Sequence, residues 1–127
     1  MKSIKLKEYF NASAEVLYEA WLDSKIHTKM TGAKAVCSSK VNGSFAAWDG
    51  YISGKNLSLV PNKKIVQTWR TTDFSENDDN SELTLEFEQE SGGCFLVLTH
   101  KNIPDNQPDY KKGWVNYYFS PMKKFFR

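Results

Sequence analysis

The chain has little cysteine: Cys37 and Cys94 are the only two in 127 residues. They lack the spacing of metal ligands, and a chain of this length buries roughly two-thirds of its unfolded surface without a disulfide scaffold. With a start, Met1-Lys2-Ser3, that carries no apolar targeting run, the expectation is reduced thiols in a cytoplasmic protein. No stretch approaches the ~20 apolar residues of a membrane span. Charge of one sign is lacking too: 17 basic against 15 acidic residues leave +2, which is no electrostatic case for nucleic acid. There is no phosphate loop, nucleophile elbow or dinucleotide fingerprint. Asp49, Asp73 and Glu86 read as turn or wet-face carboxylates and form no acid/base pair. No cofactor or metal is expected. With no repeat, low-complexity segment or linker, residues 1–127 read as one domain.

What the chain has in quantity is aromatic rings: four Trp, six Tyr and eight Phe. From Asp109 to the terminus, Tyr110, Trp114, Tyr117, Tyr118, Met122, Phe125 and Phe126 recur every three to four residues, the spacing of one helix face. That is more aromatic area than anchoring needs, so the helix is expected to close over a strongly bent sheet, a cavity, or both. Gly113 is read as allowing close approach to the sheet. Pro121 removes a backbone donor and predicts a kink near Ser120, with the tail beyond it acting as a movable lid.

The opening alternates Ile4 and Leu6 with Lys5 and Lys7, and Phe10 keeps the parity, which predicts a strand with one buried face. Ser13 suits a helix N-cap, with Val16, Leu17, Ala20 and Trp21 on the helix's inner face. Asp23-Ser24 offers a second cap for a short helical turn that ends at Gly32. His27, with Lys25 and Lys29 nearby, reads as surface. From Ala33 to Lys101 the pattern has period two, with turns at Asn42-Gly43, Asp49-Gly50, Pro61-Asn62 and Gly92-Gly93. An antiparallel meander follows, with Ile65, Gln67 and Trp69 on one face of a strand and Leu83, Leu85, Phe87, Leu96, Leu98 and His100 turned to the final helix. Gly43, Gly50 and Gly54 are placed to permit a bend or bulge. The acidic run Asp73 to Glu82 and the basic residues of the last helix read as solvated surface.

Ala14-Glu15-Val16 with Ala20-Trp21 and Asp23, then Val41-Asn42-Gly43-Ser44-Phe45, Asp49-Gly50 with Gly54, Val60-Pro61 and the run Ile65 to Arg70 form one ordered set. With Leu96 to His100 and Gly113-Trp114, the set resembles the small bacterial proteins grouped with the activator of the ninety-kilodalton heat-shock chaperone's ATPase, in the START-like (SRPBCC) superfamily. Two departures are Asn42-Gly43-Ser44, where a glycine pair is usual, and Pro121 inside the final helix. The resemblance implies an α+β helix-grip fold, an antiparallel sheet wrapped around a long C-terminal helix with a cavity between them.

The candidate lining is Trp21, Phe45, Gln67, Trp69, Leu85, Phe87, Leu98, His100, Trp114, Tyr117 and Tyr118, while Trp48 can fall either way. An inward His100 can orient a ligand or act as a base, but its plainer reading is a satisfied structural histidine. So many rings around a curved sheet leave apolar gaps, and the function expected first is non-enzymatic binding of a small apolar or amphipathic ligand. Two alternatives rest on fold analogy: a chaperone-interacting stress-response protein, and a small cyclase or hydrolase.

Overall fold

The computed structural model describes residues 1–127. β1 (Lys2–Phe10) leads into α1 (Ala14–Leu22) and α2 (Ser24–Thr31). The Ser13 hydroxyl accepts from the Val16 amide at 3.1 Å, and an Asp23 carboxylate oxygen accepts from the Ile26 amide at 2.9 Å, so both helices start at the capping residues the sequence offers. Gly32, at φ 84°, ends α2 in the left-handed conformation. Leu17, Ala20, Trp21 and Leu22 form the buried face of α1, whereas Val16 is exposed.

The strands are β2 (Ser44–Ala47), β3 (Ile52–Val60), β4 (Lys64–Thr71), β5 (Ser81–Glu90) and β6 (Gly93–Ile103). They form one antiparallel sheet in the order β1-β6-β5-β4-β3-β2. Period-two alternation sets the register: Leu85 pairs with Leu98 and Leu83 with His100, and with Phe87 and Leu96 they are buried on the same face. The bulge falls at Leu57, between the pairs Asn56–Gln67 and Ser58–Val66, rather than at a glycine. Gly54 serves close packing instead, since a Cβ there would overlap the Thr68 carbonyl of β4.

The period-two region starts later than its sequence suggests. Residues 33–43 are irregular apart from a single bridge between Val36 and Ala46. Polar side chains of α2 take up backbone groups that a strand partner would otherwise satisfy: the Ala35 amide donates to Thr28 Oγ1 at 2.9 Å and the Cys37 amide to Ser24 Oγ at 2.8 Å.

The C-terminal helix runs as α3 (Tyr110–Trp114), a π-helical turn (Val115–Phe119) and α4 (Ser120–Phe125). Asp109 caps it by accepting from the Lys111 amide at 3.0 Å. Pro121 cannot donate to the preceding turn, and the irregularity lies just before it, where the Ser120 amide donates to the Val115 carbonyl in i→i−5 fashion. Beyond the proline, Met122 is buried and Phe126 packs against the core, so the tail is anchored.

Candidate functional site

The interior of the sheet holds a polar network as well as rings. Trp21 Nε1 donates to Gln67 Oε1 at 3.3 Å, and Gln67 Nε2 donates to Asn56 Oδ1 at 2.9 Å. Asn56 Nδ2 in turn donates to the carbonyls of Ser38 and Lys40. Gln67, on the inner face of β4, thus uses both its side-chain oxygen and its side-chain nitrogen in tying α1 to the loop before β2.

His100 is wholly buried on β6. The hydroxyl of Ser81 donates its one proton to the Trp69 carbonyl at 2.6 Å, so its oxygen must accept from His100 Nε2–H at 2.8 Å. Nδ1 then carries the lone pair and accepts from Trp114 Nε1 at 3.2 Å. His27 is the correction to a surface reading: it is 2% exposed, held between α2 and the C-terminal helix. Its Nδ1 donates to the Trp21 carbonyl at 2.8 Å, and its Nε2 accepts from the Tyr118 hydroxyl at 2.9 Å. The flanking lysines Lys25 and Lys29 pointed to solvent, but α2 has two faces and His27 lies with Met30 on the buried one. Both imidazoles are neutral with every nitrogen engaged, so neither offers a free lone pair to a metal or a substrate proton.

Burial lowers the pKa of both histidines, that of His100 to about 3. The unfolded chain, with histidines near 6.5, takes up these protons first. Stability is therefore fully present above about pH 6.5 and declines as pH falls below it, for His100 by about 1.4 kcal/mol per pH unit down to about pH 3 once its unfolded form is charged, with His27 acting in the same direction. Urea unfolding at pH 7 and pH 5 is expected to show this loss, with a smaller slope in His100→Gln. A flat profile would contradict it. Desolvation pushes both thiols up, to about 11, with the Asp23 charge adding to the effect at Cys37. Neither is a poised nucleophile.

A cavity of about 620 Å³ opens beside this core, bounded by the β2–β3 turn, the start of β3, the end of β4 and the first half of the C-terminal helix. Of the expected lining, Trp69, Trp114, Tyr117 and Tyr118 stand at this cavity. Trp21, Phe45, Gln67, Leu85, Phe87, Leu98 and His100 are placed in the buried core instead. Trp114 of the C-terminal helix reaches β6 at His100, and this cavity lies toward the β2–β4 margin of the sheet. Trp48, Tyr51 and Tyr110 complete the aromatic wall, the last two lying outside the lining expected from sequence. The signal for Trp48 and Tyr51 was their place on either side of Asp49-Gly50. Trp48 and Asp49 both sit at positive φ, 53° and 59°, which turns the chain sharply and carries Trp48 under Tyr117, with ring centroids 5.4 Å apart. Gly113 also faces the cavity: a Cβ there would meet nothing within 4 Å, so it is not a point of close contact with the sheet.

An antiparallel sheet closed by a C-terminal helix, with an aromatic cavity between them, defines a helix-grip domain of the START-like class. Within that class the chain belongs to the family described as activator of Hsp90 ATPase homolog 1-like protein, which residues 11–127 match. It is 33% identical over 124 residues to the human activator of 90 kDa heat shock protein ATPase homolog 1, an alignment that takes in 97% of this chain and 36% of that protein. The chain thus spans about a third of the length of the curated relatives it matches. A crystal structure of an HSP90 activator from Plasmodium falciparum superposes with a TM-score of 0.89 at 29% identity, covering 98% of this chain and 96% of that one. A Chromobacterium violaceum protein at 24% identity and TM-score 0.78 shares the fold. No helix of the chain is long and apolar enough to cross a membrane.

Proposed function

We propose that this chain is a chaperone-interacting domain that binds a ninety-kilodalton heat-shock chaperone and raises its ATP turnover. The observation that carries this reading is the end-to-end correspondence with the Plasmodium falciparum HSP90 activator, 98% of one chain on 96% of the other. A protein partner also suits the exposed apolar side chains at the cavity mouth: Tyr117 is 59% exposed and Tyr51 41%. The domain does this work without a catalytic group of its own, since ATP is hydrolysed by the chaperone. The test is the steady-state ATPase rate of the purified chaperone with increasing amounts of this chain. A saturable rise is expected, and an unchanged rate at saturating chain would contradict activation.

A second reading, a small apolar or amphipathic ligand held by burial, is favoured by the open cavity. Its volume falls within the ~300–1,000 Å³ of small-molecule sites.

A further inference from the structure

Half of the 14 residues that line the cavity carry aromatic rings. Most of their polar atoms are committed away from it. Trp114 Nε1 donates to His100, the Tyr118 hydroxyl to His27 and the Tyr110 hydroxyl to Gln107 Oε1 at 2.7 Å. The indole nitrogen of Trp48 is buried without a hydrogen-bond partner, beneath the cavity surface and not on it. What such a wall offers a ligand is ring surface with few hydrogen-bonding atoms, and ring faces carry negative potential. The mouth adds carboxylates. Asp109 lines it, and Asp73 accepts a hydrogen bond of 2.6 Å from the hydroxyl of Tyr51, itself a lining residue. Donation to a carboxylate makes the Tyr51 ring more electron-rich. Lys112, the lining residue of opposite charge, is exposed on the helix.

Resting on the small-ligand reading of the cavity, we propose that its ligand is a small organic cation of the methylated-ammonium class, held by the rings of Trp48, Tyr51, Trp69 and Tyr117 under the field of Asp73 and Asp109. The chemistry selects this class over its neighbours. The carboxylates disfavour an anion, and a primary ammonium would be satisfied only at Asp109 and Asp73 on the mouth, since the ring faces deeper in offer its N–H groups no acceptor. A methylated ammonium has no N–H to satisfy and gains from each ring face it touches. A neutral apolar molecule of the same shape gains the burial but not the charge term.

The test compares choline with its uncharged carbon isostere, 3,3-dimethylbutan-1-ol, by tryptophan fluorescence titration of the full chain, checked by calorimetry. Choline is expected to bind saturably and at least about tenfold more tightly than the isostere. Asp109→Asn, which keeps a good helix cap while removing the charge, should weaken choline and leave the isostere unchanged. Tyr117→Ala, at an exposed ring, should weaken choline while lowering the melting temperature only slightly, by the loss of its edge contact with Trp48. If the isostere binds as tightly as choline, the cationic assignment is overturned and the apolar-ligand reading stands. If neither binds, both are overturned, while chaperone activation is judged separately by its own assay.

Discussion

Trp114→Ala is expected to lower the free energy of unfolding by about 3–5 kcal/mol, the usual cost of removing a large buried ring. Trp114 is the junction of three elements. Its ring lies 5.0 Å from that of Tyr118, 5.8 Å from Trp69 on β4 and 6.3 Å from Trp21 on α1. Its Nε1 is the donor that occupies the His100 lone pair. Truncation leaves a void and deprives the imidazole nitrogen of its donor at the same time, and the second loss adds to the first. Trp114→Phe restores most of the volume but not the donor, so it should recover part of the loss. Equilibrium urea unfolding followed by circular dichroism measures both variants. A loss under about 1 kcal/mol for Trp114→Ala would mean that the helix does not hold the sheet through this ring.

Gly54→Ala is expected to be as damaging, at or above the ~3 kcal/mol upper end of overpacking. The added methyl meets the Thr68 carbonyl, a backbone atom of the neighbouring strand, and also presses on the Phe45 ring. A side chain could rotate away, but a carbonyl in a ladder cannot. The β3–β4 pairing must open at this point, beside the turn that carries Trp48 and Tyr51. Gly113→Ala is the control, since its Cβ enters open space, and the higher helix propensity of alanine should leave it neutral to mildly stabilising. Thermal melts of the two variants side by side give the comparison. Equal melting temperatures would contradict this packing of β3 on β4.

Much of this fold was legible in the chain. Alternation of Leu83, Leu85 and Phe87 with Thr84, Glu86 and Glu88 sets the face of β5, because a one-residue slip would bury the glutamates. The caps Ser13 and Asp23 mark the helix starts, since each supplies an oxygen where a free amide needs one. His100 was legible as inward for the same reason as Leu98. Other features were not legible because they depend on elements that meet only in three dimensions. His27 is buried by Tyr118, which is 91 residues away, and nothing next to it in sequence announces that contact. The π-helical turn shifts the facing of Tyr117 and Phe125, so the regular aromatic spacing overstated the buried stripe. The cavity was expected between the sheet and the C-terminal helix, and the residues that line it lie at the β2–β3 turn, the end of β4 and the first half of that helix. Residues 33–43 carry too few alternating apolar side chains to build a strand, and Ser24 and Thr28 take their amides.

The proposed function requires that this one domain engage the ninety-kilodalton heat-shock chaperone directly. Isothermal titration of the purified chain into the purified full-length chaperone tests it with no coupled assay between. A saturable heat with a defined stoichiometry is expected, absent when the chain is titrated into buffer or into an unrelated protein of similar size. No heat of binding at the highest chain concentrations the titration reaches would contradict it.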